Sequence, residues 1–297
     1  MPASQNGTVS NPVIAVEGLV KTYGGVKAVD GISLSVHAGE CVALLGPNGA
    51  GKTTTVEILE GYRTRNEGAV SVLGQDPGNP STAWRERIGI VLQSANDVAE
   101  LTVQEVVRHF ATYYPHPRDP DEVMAAVGLS EKRTARVRSL SGGQRRRLDV
   151  ALGILGDPEV LFLDEPTTGF DPEARRQFWS LIEGLKTEGT TILLTTHYLD
   201  EAQHLADRVA VISAGRIVAE GPPATLGGRA DGAARVTWRE NGHHRQELTT
   251  EPTELVMQLA SRFGTEVPEL AVVRPSLEDV YLELIGHEAH EDAAAAS

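Results

Sequence analysis

Eight residues, Gly46 to Thr53, read GPNGAGKT and satisfy the pattern G-x-x-x-x-G-K-[ST]. Gly46, Gly49 and Gly51 let the backbone curl until successive N–H groups point at a phosphate oxygen. A loop of this kind stands between a strand and a helix. Here the apolar run CVALLG precedes it and the helix-patterned KTTTVEILEGY follows. The helix N-terminus adds partial positive charge. Lys52 is then placed to reach the β- and γ-phosphates of a nucleotide, and Thr53 to ligand Mg²⁺. A glycine turn with a surface lysine would share the residues but not their flanks.

A second stretch, VLFLDEP from Val160 to Pro166, is an apolar strand that delivers two acids at its end. Asp164 suits a hard cation held through oxygen ligands. Glu165, one residue on, points elsewhere and suits orienting and deprotonating a water. A third stretch, LSGGQ from Leu140 to Gln144, opens a helix. Ser141 is a natural N-cap, and Gln144 three residues later completes a capping box. The same residues leave N–H groups and a hydroxyl open to an anion. Arg145, Arg146 and Arg147 follow directly and form a local basic cluster.

Taken in order, GPNGAGKTT, the LQ ending at Gln93, LSGGQ, LFLDEP and the TTH ending at His197 closely resemble the nucleotide-binding subunit of ABC transporters, over about residues 13–222. The resemblance implies ATP and Mg²⁺ as cofactors. It implies two cassettes paired head to tail, each ATP lying between the phosphate loop of one and the LSGGQ segment of the other. Nucleotide contacts then fall on Gly46, Pro47, Asn48, Gly49, Ala50, Gly51, Lys52, Thr53 and Thr54 of one subunit, with Tyr23 on the adenine. Ser141, Gly142, Gly143 and Gln144 come from the other. Thr53, Gln93 and Asp164 would hold the metal. Glu165, His197 and Gln93 would carry the hydrolysis, and Asp171 in TGFDP would lie in the loop linking the two cassettes. Implied partners are a second ATPase subunit, most simply in a homodimer, and a separate transmembrane permease. That places the chain in the cytoplasm, peripheral on the inner face of the cell membrane, with no nucleic acid involved. Residues 225–286 resemble the C-terminal extension of daunorubicin-resistance export ATPases, with SLEDVYLELIG as the best match, so the cargo is expected among drugs, antibiotics or other hydrophobic compounds. A soluble ABC-type ATPase of translation or DNA repair is the alternative. Against it stand one cassette instead of two and the lack of a heptad run.

The elements that must position these residues are legible in outline. The expected fold class is α/β: a P-loop ABC ATPase cassette with a mainly parallel sheet core, an antiparallel β subdomain and a helical subdomain, plus a small α+β C-terminal extension. Val13 to Val36 reads as short strands and turns, GAVSVLG and IGIVLQ as further strands, and EVLFLDEP, TTILLTTH and VAVIS as core strands between helical stretches. Residues of about 95–150 read as the helical subdomain, with Thr102 and Glu105 in capping-box spacing. The expected segments are a loose tail over 1–12, the ATPase domain over 13–222, the accessory domain over 225–286 and a frayed tail over 287–297. Asn241-Gly242 predicts a hairpin turn. PTELVMQLASRFG predicts an amphipathic helix, with Leu255, Val256, Leu259, Ala260 and Phe263 on one face.

Composition sets limits. The 297 residues carry a formal charge of −14, which argues against binding driven by phosphate neutralisation of nucleic acid. The single cysteine, Cys41, lies in an apolar run and reads as a small buried hydrophobe. The first twelve residues lack the pattern of a signal peptide. No apolar run approaches the roughly 20 residues that cross a bilayer, so any membrane role is expected through a partner. His243, His244, His287 and His290 do not form a metal set.

Overall fold

A computed structural model describes residues 11–91, 98–228, 233–264 and 266–285. Two compact units divide between Ile217 and Val218. In the first, β1 (Ile14–Tyr23) and β2 (Val26–Val36) form an antiparallel hairpin through Gly24 and Gly25, longer than the sequence suggests. Both glycines have positive φ (54° and 87°), as a primed turn requires. After β3 (Cys41–Leu45) and the helix α1 (Lys52–Leu59), β4 (Glu67–Val72) pairs with β1 to complete a three-stranded sheet, β2-β1-β4.

The second sheet holds six strands. Between β4 and β5 (Ile88–Val91) lies a short helix, α2 (Thr82–Arg85), which the sequence reading missed. Its Trp84 is fully buried and donates its indole N–H to Val72 O at 2.8 Å, joining the two sheets' shared core. Then come α3 (Val103–Ala111), α4 (Pro120–Ala126) and α5 (Gly142–Ile154). The Thr102/Glu105 capping box forms as its spacing predicts, and Asp119 caps α4 ahead of Pro120 at its first position. The chain returns to the sheet as β6 (Val160–Asp164), α6 (Pro172–Thr187), β7 (Thr191–Thr196), α7 (Leu199–Leu205), β8 (Arg208–Ser213) and β9 (Arg216–Gly221).

The spatial order is β5-β6-β7-β3-β8-β9, and the pairs β5/β6, β6/β7, β7/β3 and β3/β8 are parallel. Strand β3 is buried along its whole length, and β7 likewise. A continuous apolar run such as CVALL in β3 is what a sheet covered on both faces demands. The order decides where chemistry can occur. The loop after β3, the acids ending β6 and the histidine after β7 leave three adjacent strands at the same edge, where ligands of open parallel sheets bind.

The second unit carries β10 (Ala234–Glu240), β11 (His243–Thr249), α8 (Pro252–Phe263), β12 (Ala271–Val273) and a helix over 277–285. Asn241 and Gly242 both adopt positive φ and register Glu240 opposite His243. Leu255, Val256, Leu259 and Phe263 of α8 pack on Val236 and Trp238. Ala260, placed on that face by its spacing, is exposed. Ser276 caps the last helix, with Asp279 N–H donating to its hydroxyl at 3.0 Å.

Among the described residues no helix is long and apolar enough to cross a membrane.

Candidate nucleotide site

Glycine is obligatory at two points of the loop between β3 and α1. A Cβ on Gly46 would stand 2.3 Å from Ile212 O, and one on Gly51 would stand 2.3 Å from Ala28 O with φ already at 103°. The loop is thus pressed against backbone on both sides. Asn48 and Gly49 remain exposed at its tip. With Gly51, Lys52, Thr53, Thr54, Ala28 and Glu165 they line a cavity of about 390 Å³ at the N-terminus of α1. Gly46, Pro47 and Ala50 do not line it. Lys52 is 4% exposed and donates to Gly46 O at 2.8 Å and Pro47 O at 3.1 Å. Burial lowers the pKa of its ammonium, and the charges of Glu165 and Asp164 work against that shift.

The strand ends supply the acids. Thr53 Oγ1 lies 3.3 Å from both carboxylate oxygens of Asp164. Thr195, at the end of β7, donates its hydroxyl to the same carboxylate and accepts the Glu165 N–H at 3.0 Å. Glu165 adopts a left-handed backbone, φ 44°, which turns its side chain away from that of Asp164. Its Oε1 lies 3.6 Å from Lys52 Nζ and 3.3 Å from His197 Nδ1. One carboxylate therefore meets the lysine that follows the loop and the histidine after β7. A hydroxyl beside a carboxylate, Thr53 with Asp164, is a hard oxygen pair that fits Mg²⁺ completed by water and phosphate oxygens. Among the described residues no group of three or more His, Cys, Asp or Glu side chains could hold a metal ion by itself.

Ser141 caps α5 in a full capping box: its hydroxyl accepts Gln144 N–H at 3.2 Å, and Gln144 Oε1 accepts Ser141 N–H at 3.1 Å. The side chain of Gln144 is committed to its own helix. Ser141 and Gly142 are exposed, and neither lines the loop cavity. Gly142 instead opens on a second cavity of about 520 Å³, walled by Arg145, Arg146, Asp149, Glu165, Pro166, Thr168, Gly169 and Phe170. Glu165 is common to both cavities.

The sequence profile of the ABC transporter family matches residues 29–168. The Nod factor export ATP-binding protein I of Ralstonia nicotianae is 40% identical over 95% of this chain and 96% of its own. The chain belongs to the ABC transporter ATP-binding subunits. The daunorubicin/doxorubicin resistance ATP-binding protein DrrA of Streptomyces peucetius is 39% identical over 95% of the chain and 96% of its own length. Among solved structures, the ADP conformation of MJ1267, an ATP-binding cassette of an ABC transporter, aligns with TM-score 0.64 and 27% identity, covering 71% of this chain and 91% of that one. As an ABC ATPase subunit the chain binds and hydrolyses ATP.

Within this ABC subunit, Lys52, Thr53, Asp164, Glu165 and His197 stand together at one end of the sheet. Tyr23 does not join them at the cavity wall. It is 41% exposed at the end of β1, with Lys21 Nζ 5.1 Å and Arg63 Cζ 5.7 Å from its ring centre. Gln93 lies outside the described residues. Asp171 caps α6, accepting the N–H groups of Glu173 and Ala174 at 3.0 and 2.8 Å.

The three arginines after LSGGQ are not a basic patch. A helix turns about 100° per residue, so they go three ways. Arg145 donates to Val137 O at 3.3 Å, and Arg147 to Gln177 Oε1 at 2.6 Å. Arg146 enters the core, 7% exposed, and donates to Asp164 O at 2.8 Å and Pro166 O at 3.1 Å. It braces the backbone on both sides of Glu165. Its place in an arginine run hid this role. The apolar residues that follow it, read with their period, were the available signal.

Glu60, at the C-cap of α1, was likewise not singled out. It is 8% exposed, and burial, then the charges of Asp164 and Glu57, push its carboxyl up to about 8.

Proposed function

We propose that the chain is the motor of an exporter, working as a homodimer on the cytoplasmic face of the cell membrane beneath a separate permease. Both relatives named above are ATP-binding proteins of export or drug resistance, which supports drugs, antibiotics or other hydrophobic compounds as cargo. In the reaction, N–H groups of the Gly46–Thr53 loop and of the first turn of α1 cradle the phosphates. Lys52 turns its ammonium from the carbonyls of Gly46 and Pro47 to the β- and γ-phosphate oxygens. Thr53 and Asp164 are the residues that would hold Mg²⁺, which neutralises phosphate charge when bound. Glu165 orients the attacking water and takes its proton. His197, beside Glu165 Oε1, keeps that carboxylate and the water aligned with the γ-phosphate.

Ser141, Gly142 and Gly143 act on the nucleotide of the other copy. The observation that carries this reading is the split: the phosphate loop and the LSGGQ segment line different cavities of one chain, and Glu165 borders both. A second copy turned head to tail would close each site. Replacement of Glu165 by Gln tests the base. The variant is expected to bind ATP as tightly as the natural chain and to lose nearly all turnover, and undiminished turnover would remove Glu165 from the reaction.

A further inference from the structure

Among the described residues, six buried polar atoms around the start of α7 make no hydrogen bond: both carboxyl oxygens of Glu201, the Thr167 hydroxyl, Trp179 Nε1, Arg175 Nε and His197 Nδ1. Glu201 and Thr167 are fully buried. Burial raises the pKa of the Glu201 carboxyl, and the neighbouring hydroxyls of Thr196 and Thr167 and the Trp179 N–H pull the other way. Asp200, the preceding acid, does the ordinary work of a residue in a first helical turn: it is exposed and pairs with Arg175 at 2.9 Å. Glu201 instead points inward, among donors.

The two hydroxyl donors lie on the segments that carry Glu165 and His197. Thr167 is two residues past Glu165. Thr196 immediately precedes His197, and its hydroxyl oxygen accepts Tyr198 N–H at 2.9 Å, which leaves its own hydrogen to donate. Two carboxyl oxygens offer enough lone pairs for both hydroxyls and the indole N–H. Buried polar atoms are rarely left unpaired, and a small shift, or one internal water, brings these together.

We propose that Glu201 is a positioning residue for hydrolysis: its carboxyl takes the hydroxyls of Thr167 and Thr196 and so ties the loop after Glu165 to the turn that carries His197. This rests on Glu165 and His197 acting as described under the proposed function. Glu201 touches neither the nucleotide nor the attacking water. Its effect is to fix the distance between the two groups that do.

The test is steady-state ATPase kinetics with nucleotide binding measured separately. Glu201→Leu is expected to lower kcat by about 10- to 100-fold, the scale of a misplaced catalytic group, with ATP affinity and KM unchanged. Glu201→Gln, which keeps a neutral acceptor, restores most of that loss. In a Glu165→Gln background, Glu201→Leu adds little, because the group it positions is already gone. Should the leucine variant fail to fold, Thr167→Val removes one hydroxyl at nearly constant shape and is expected to lower kcat with KM unchanged. An unchanged kcat in Glu201→Leu or Thr167→Val overturns the proposal. So does a fall in kcat that Glu201→Gln fails to restore, or one that is equally large in the Glu165→Gln background. If Glu165→Gln itself keeps full turnover, the reading of the base fails instead, and the two failures are told apart.

Discussion

Replacing Arg146 with methionine tests whether the arginine braces the catalytic strand end. The guanidinium makes charge-assisted hydrogen bonds to Asp164 O and Pro166 O, at 2.8 and 3.1 Å. Leaving a buried carbonyl unpaired costs about 1–3 kcal/mol, so the two together set a range of about 2–6 kcal/mol. Methionine keeps the apolar stem and fills irregular gaps. It also relieves the cost of burying a charge, which already lowers the pKa of this guanidinium. Those gains bring the expected loss to the lower end, about 2 kcal/mol. Lysine supplies charge but no planar fork for two carbonyls, so it should fall between. Urea unfolding reads the loss as a lower midpoint at constant slope. Turnover should fall further than stability suggests, by about 10- to 100-fold, because the two carbonyls flank Glu165. A methionine variant within about 0.5 kcal/mol of the natural chain, the range of ordinary surface changes, and turning over at its rate, would refute the bracing role.

Two further outcomes follow from buried titratable groups. The Glu60 carboxyl, raised from 4.5 to about 8 chiefly by burial, is neutral in the folded chain and charged in the unfolded chain between those values. The folded state holds the extra proton, so stability falls as pH rises from about 4.5 to about 8. Glu60→Gln removes that dependence: its advantage should grow with pH by up to roughly 1.4 kcal/mol per unit and vanish near the lower limit. Parallel stability curves would contradict it. Burial likewise pushes the Cys41 thiol up to about 12, so a thiol reagent should label Cys41 only after unfolding, and rapid labelling of the native chain would count against a buried position.

How much of this could be read from sequence varied with the physics. The parallel core was legible because continuous apolar strands alternate with helical stretches, and local capping patterns at Thr102 and Ser141 held because they involve only four residues each. The site residues were legible where a motif fixes both residue type and spacing. Arg146 and Glu201 escaped because their roles depend on which way a helix turns them, a property of tertiary packing. Charged residues in a row read as a solvated face, whereas here one of three arginines and one of two adjacent acids are buried. Trp84 was missed for a related reason: its helix is four residues long, too short to show a period.

The central claim is that each ATP is gripped by the phosphate loop of one copy and the LSGGQ segment of another. Its most direct test is complementation between two inactive subunits, Lys52→Ala and Ser141→Arg, each without turnover alone. In a mixed dimer the intact loop of one faces the intact segment of the other, which restores one site of two. Random pairing of equal amounts should therefore return roughly a quarter of the natural activity. A mixture of well-folded, freely exchanging subunits that stays inactive would contradict the shared site.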